Sequence, residues 1–236
     1  MFKRLNLTDY NLNNQERRNV ISGEFAALAR ELAENEFWSK EGKELFRANV
    51  VKRMQDVEFC ASLILLYKRG IIDQQTDKAL NDAYRDYESN YDDADKDRNA
   101  VLKAMELVDK FICDKTLPFL RRTSQLYTLF SVVFYIMSKN KTISDKEVKK
   151  FYAFVDIYDK FKNEENVTLD LSLEERNLYD LFKKYKQASS EGTRKLINRM
   201  ARFDVLKHFL LEDDSTDELV SSLCEKLKKC SVCRKW

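Results

Sequence analysis

Residues 126–137 read Leu-Tyr-Thr-Leu-Phe-Ser-Val-Val-Phe-Tyr-Ile-Met. Leu126, Leu129, Phe130, Val133, Phe134 and Met137 recur at i, i+3, i+4, i+7, i+8 and i+11, the spacing that lines up one face of an α-helix. The run is twelve residues long and carries Thr128 and Ser131, so it is too short for a bilayer and reads as a buried helix. Val148, Phe151, Tyr152, Val155, Tyr158 and Phe161 repeat nearly the same spacing, and no segment alternates with period two for long enough to compete.

Composition agrees. Glycine contributes 4 of 236 residues and proline 1, against roughly 28 for the pair in an average chain of this length. Sandwiches, barrels and Rossmann sheets need many tight turns, and this chain lacks the residues for them. Charged residues at 35% and apolar residues at 44% fit amphipathic helices with a core to bury. The sequence therefore predicts an all-α fold, an irregular bundle of about eight to ten helices with no significant sheet.

The helices are expected at residues 13–21, capped by Asn13, then from a bend at Gly23 to about residue 35. Further helices are expected over 43–69, stopped by Gly70, and over 75–90, 97–114, 121–138 (after a break at Pro118), 145–162, 173–188, 193–211 and 216–230. Ser144 with Glu147, Ser172 with Glu175 and Ser215 with Glu218 have capping-box spacing. The predicted organisation is a helical domain over 1–212, with a polar docking segment at 1–22 and an acidic loop region at 81–98, followed by a C-terminal helix and cysteine-bearing tail at 213–236.

Net charge is +2, but it is unevenly spread: residues 81–100 carry −4 (three bases, seven acids) and residues 101–150 carry +5 (ten bases, five acids). The basic middle is a mild sign of a polyanion-facing surface. Cys60 and Cys113 lie in apolar helical sequence, where a thiol acts as a small hydrophobe. The polar start and the lack of a spanning segment give the expectation of a cytoplasmic protein with no membrane partner.

Much familiar chemistry is missing from the sequence. His208 is the single histidine, which excludes an H-E-x-x-H zinc site or an HNH centre built from this chain alone. Four scattered glycines supply neither a P-loop nor a G-x-G-x-x-G cradle, and no G-x-S-x-G occurs. Cys224, Cys230 and Cys233 supply three thiols where zinc wants four ligands, so the favoured reading is a reduced tail. No cofactor, metal or catalytic residue is expected.

Two polar stretches stand out. The first contains Arg4, Asn6, Asn13, Gln15, Glu16, Arg18 and Asn19, amide and guanidinium groups suited to binding a ligand, a phosphate or a neighbouring domain. The second contains Arg53, Asp56 and Glu58, in which Arg53 and Asp56 at i, i+3 are expected to pair. Later, Lys195, Arg199 and Arg202 follow i, i+4, i+7, and with Arg121 and Arg122 they are candidate phosphate contacts. Composition alone reads the first and last of these as solvated helix faces, and the Arg53–Asp56 pair as an architectural contact on a core helix.

The order of these motifs resembles the helical portion of the GmrSD/SspE-type restriction family. The resemblance rests on Phe2, Arg4, Leu5 and Asn6, then Leu12, Asn13, Gln15, Glu16, Arg18 and Asn19, then Gly23 and Phe25, and then Arg53, Met54, Asp56 and Glu58. Residues 122–130, and residues 189–193 leading to Arg199 and Arg202, are similar too, and the whole spans roughly residues 2–211. That family joins a ParB/sulfiredoxin-like domain bearing a D-G-Q-Q-R motif to a helical body, often with a C-terminal HNH domain. Neither the D-G-Q-Q-R motif nor a second histidine occurs here. The resemblance therefore implies a non-catalytic helical module of a DNA-restriction or phage-defence system. Its residues 4–19 are expected to dock a nucleotide-handling ParB-like domain, with possible DNA contact. Two other classes are set beside it: a self-contained nucleic-acid enzyme using carboxylates such as Glu16 and Asp56 with a divalent metal, and a pure helical scaffold.

Overall fold

A computed structural model describes Arg18 and residues 23–52, 54–161, 170–211 and 217–233. They are helical with no strand among them, in agreement with the all-α expectation. They fall into two compact units. The first takes in residues up to Gly70 together with 76–103; the second takes in 71–75 and 104 onward, so the division does not follow a boundary at 212/213.

In the first unit, helix α1 (Glu24–Ala33) leads through a 3₁₀ turn at Glu36–Trp38 to α2 (Ala48–Lys52), α3 (Gln55–Arg69), α4 (Lys78–Asp86) and the beginning of α5 (Ala94–Asp109). Helix α3 is the hub and packs on α1, α2 and α4. Phe59 through Leu66 are all buried, the pattern of a helix covered on every side. Gly70 ends it at φ 72, a left-handed value that glycine adopts without strain, and its N–H returns to Leu66 O at 3.0 Å. Gly23, at φ 154, precedes α1, and a Cβ there would lie 3.0 Å from the Glu88 backbone.

The expected helix over 43–69 is broken. Leu45 and Phe46 are buried, with Phe46 stacked on Trp38 at 4.9 Å and against Phe59 at 5.6 Å. Burying them keeps the chain out of helix until Ala48, and Met54 then takes a left-handed conformation (φ 54, ψ 27) at the head of α3. Trp38 anchors this corner by donating Nε1–H to Leu32 O at 2.7 Å.

The second unit contains the rest of α5, α6 (Leu117–Leu120), α7 (Thr123–Ser138), α8 (Asp145–Phe161), α9 (Leu173–Ala188), α10 (Leu196–Leu211) and α11 (Asp217–Cys233). Helix α10 lies against α7, α8 and α9, and α11 lies on α8 and α9. Phe154 is central, with Phe182, Tyr185 and Phe209 rings at 4.8, 4.9 and 5.4 Å. Pro118 does not simply break the chain: it sits in the first turn of α6, where its missing N–H costs nothing. Ser172 and Glu175 form the reciprocal capping box at α9, and Ser144 accepts from Lys146 N–H while Glu147 accepts from Ser144 N–H at α8. Ser215 lies outside the described residues. No described helix is long and apolar enough to cross a membrane.

Candidate functional site

Arg18 is the one described member of the amino-terminal polar motif. It is 3% exposed, and its guanidinium is closed on α3 and α4. Nε donates to Asn81 Oδ1 at 2.8 Å, Nη2 pairs with Asp77 at 2.7 Å, and Nη1 stands 3.9 Å from Glu58. This corrects the expectation that Arg18 faces another domain: it ties two helices of its own unit together. Glu58, from the second polar stretch, is one of its partners. Arg4, Asn6, Asn13, Gln15, Glu16, Asn19 and Arg53 lie outside the described residues.

Asp56, in the first turn of α3, is 7% exposed, and its Oδ1 has no hydrogen-bond partner. Desolvation pushes its carboxyl above the ordinary range, opposed by hydrogen bonds from the Val57 amide and its own. Burial pushes the Cys60 thiol one turn on well up, and the Asp56 charge adds to that.

Arg199 and Arg202 also turn inward, which removes them from any phosphate-binding surface. Arg199 donates to Ile72 O at 3.0 Å and Gln74 Oε1 at 2.7 Å, and its guanidinium carbon lies 4.0 Å from the centre of the Tyr127 ring. Arg202 is fully buried, donating to Thr128 Oγ1 at 3.1 Å, to Thr193 O at 2.7 Å and to Ala188 O. Ala188 O belongs to the last turn of α9, where the helix presents its negative end. Burial draws both guanidinium pKa values below the ordinary range. Their spacing with Leu206, Phe209 and Leu210 (i, i+3, i+7, i+10, i+11) is the signal that places them on the buried side of α10. Lys195 precedes the helix and is exposed, as are Arg121 and Arg122, and Arg122 Nη1 donates to Tyr158 Oη at 3.4 Å.

The 81–98 stretch is not one loop. Helix α4 covers its start to Asp86, and α5 takes over at Ala94. Its acids clamp a half-buried lysine: Lys68 Nζ stands 2.9 Å from Asp93 and 3.0 Å from Asp97, over the rings of Tyr87 and Tyr91. Burial alone would lower the Lys68 ammonium, but the two carboxylates outweigh it and leave it raised. Tyr91 donates to Asp97 at 2.5 Å, and burial with that bond raises its hydroxyl. Sequence reasoning missed this cluster, in which Lys68 and Asp93 stand 25 residues apart.

An open depression of about 390 Å³ nearby is lined by Glu24, Glu31, Asp92, Asp95 and Arg98 over Leu28 and Tyr91. Its carboxylates are engaged: Arg98 holds Glu31 at 2.8 Å and also Asp95, and Glu24 accepts the Tyr91 N–H at 2.9 Å. No cluster of three histidine, cysteine or acidic residues able to hold a metal occurs among the described residues. Cys224 is buried, its Sγ 3.7 Å from Asp156; Cys230 and Cys233 fall within α11, and their side chains lie outside the description.

Cys113 differs from the other described thiols. It is half-buried, with Sγ 3.7 Å from Thr116 Oγ1. Burial would raise its pKa, but hydrogen bonds from the Thr116 hydroxyl, the Thr116 and Lys115 amides and Tyr152 outweigh that and leave it lowered. Elsewhere, Leu196, Ile197 and Met200 are exposed on α10.

The chain matches no family model, no curated protein and no solved structure.

Proposed function

We propose that the chain is a non-catalytic helical docking module that binds a nucleotide-handling, ParB-like domain in a DNA-restriction system. The observation that supports the non-catalytic part of this reading is where the charged groups of the described residues are directed. Arg18, Arg199 and Arg202 close on their own units, as do Lys68 and Arg98 with the acids around them. Charged groups so paired fix helix packing, and among the described residues no set of them converges on a substrate. The system and the partner's identity come from the motif resemblance alone. DNA contact in this reading falls to the exposed Arg121, Arg122 and Lys195, with affinity that drops as salt rises.

The test is calorimetric titration of the chain with a purified ParB-like domain bearing the D-G-Q-Q-R motif and encoded beside it. Association with Kd at or below about 10 μM is expected, near −7 kcal/mol. No heat and no co-elution at ten times that concentration would remove the reading.

A further inference from the structure

We infer that the second unit binds a small inorganic anion of halide size between Gln74, Tyr127 and Arg199. This site is independent of the docking reading above. Arg199 and Arg202 stand one turn apart on α10 and are 6% and 0% exposed. Among the described residues, the groups that accept from them are neutral: Ile72 O and Gln74 Oε1 for Arg199, and Thr128 Oγ1, Ala188 O and Thr193 O for Arg202. Two buried cations with no carboxylate in contact leave positive charge uncompensated in the interior.

Two further polar groups border Arg199, and neither has a hydrogen-bond partner among the described residues. Tyr127 of α7 is 4% exposed, its ring centre lies 4.0 Å from the guanidinium carbon, and its Oη is unpaired. Gln74 is 2% exposed and gives its Oε1 to Arg199 Nη2 at 2.7 Å. That bond fixes which end of the amide is oxygen and leaves the buried Nε2 unpaired. An amide nitrogen and a guanidinium only donate, and these bonds use two of the five N–H donors of Arg199. The lining is therefore rich in donors and short of acceptors. An anion accepts from all three side chains and compensates the charge, whereas a water molecule must donate as well as accept and brings no charge.

The neighbouring acids do not take this role. Asp73, Glu191 and Asp204 are exposed. Asp73 turns Oδ2 to the Leu196 N–H at 3.0 Å and Oδ1 to the Gln75 N–H at 2.9 Å. Burial, with the charges of Arg194 and Arg202, holds the Arg199 pKa below the ordinary range, and Tyr127 and Asp73 offset this only in part. The strap at 71–75 lies on α10 through the Gln74 N–H to Arg194 O at 3.1 Å, the Asp73–Leu196 bond and the Arg199–Ile72 bond. Asp73 and Gln75 flank Gln74 and are exposed, so the site lies one residue below the surface and an ion reaches it without unfolding the unit. With all three side chains more than nine-tenths buried, the occupant is small. Bound there, it ties the strap to α7 and α10.

The test uses the full chain with bromide as the probe. Urea unfolding is followed as sodium bromide replaces sodium gluconate at constant ionic strength, from about 10 to about 200 mM. One site bound only in the folded chain is expected to raise the folding equilibrium constant several-fold across that range. Tyr127→Phe and Gln74→Leu, each checked for unchanged circular dichroism, are expected to lose most of that dependence. Lys195→Ala, which removes an exposed cation nearby, is expected to keep it. Crystals soaked in bromide are expected to show an anomalous peak in contact with Gln74 Nε2, Tyr127 Oη and Arg199. Each of four results overturns the proposal: a flat bromide response, a response equal in wild type and both site variants, a water in place of bromide at that position, or bromide at exposed lysines and arginines alone, an adventitious ion only. Should a site variant fail to fold, the anomalous map of the wild-type chain decides between the same outcomes.

Discussion

Arg202→Ala is the sharpest test of the claim that the late basic motif is internal architecture. The guanidinium is fully buried and donates to Thr128 Oγ1, Ala188 O and Thr193 O. Hydrogen bonds from a charged donor contribute about 1.5 kcal/mol each at the low end, or about 4–5 kcal/mol for three. Removing a buried cation returns part of that, and this return exceeds the cost of the cavity that the lost stem leaves. The net expectation is a loss of about 3 kcal/mol, read from urea unfolding followed by far-ultraviolet circular dichroism. Arg202→Met, which keeps most of the stem, is expected to recover about 1 kcal/mol of it. Lys195→Ala, on the surface, is expected to stay within about 0.5 kcal/mol of wild type. A loss below about 1 kcal/mol for Arg202→Ala, or one no larger than that of Lys195→Ala, refutes the placement.

Arg18→Ala removes the guanidinium shared by Asp77, Asn81 and Glu58 and is expected to cost about 2–3 kcal/mol, read in the same unfolding assay; a neutral result contradicts the inward placement. Lys226, Ser222 and the Ser172 amide hold the Glu175 carboxylate down to about 2, against an ordinary 4.5. Its folded pKa lies below the unfolded one, so its contribution to stability is present above about 4.5 and is lost as pH falls toward about 2. Glu175→Gln is expected to flatten that acid limb in urea midpoints measured across the window, and an unchanged slope counts against it. Iodoacetamide at mild alkaline pH is expected to label Cys113 well before Cys60 or Cys224, because the first thiol is lowered and the other two are raised. Peptide mass spectrometry reads the order.

The fold was legible wherever its cause was local. The 3.6-residue period of residues 126–137 gave α7, the Ser172–Glu175 box gave the start of α9, and Gly70 gave the stop of α3. The break near residue 48 was not legible, because it is driven by Phe46 packing on Trp38 and Phe59 across the sequence. The Lys68 clamp was hidden for the same reason. Arg199 and Arg202 were a different failure. Their spacing with Leu206 and Phe209 pointed inward, but their charge suggested a surface, and satisfaction by backbone carbonyls and a tyrosine face won.

The most direct measurement of the docking account is amide hydrogen exchange on the full chain with and without the ParB-like domain. Slowed exchange is expected over at least one contiguous stretch of the chain. Exchange unchanged throughout the chain when the domain is saturating contradicts it.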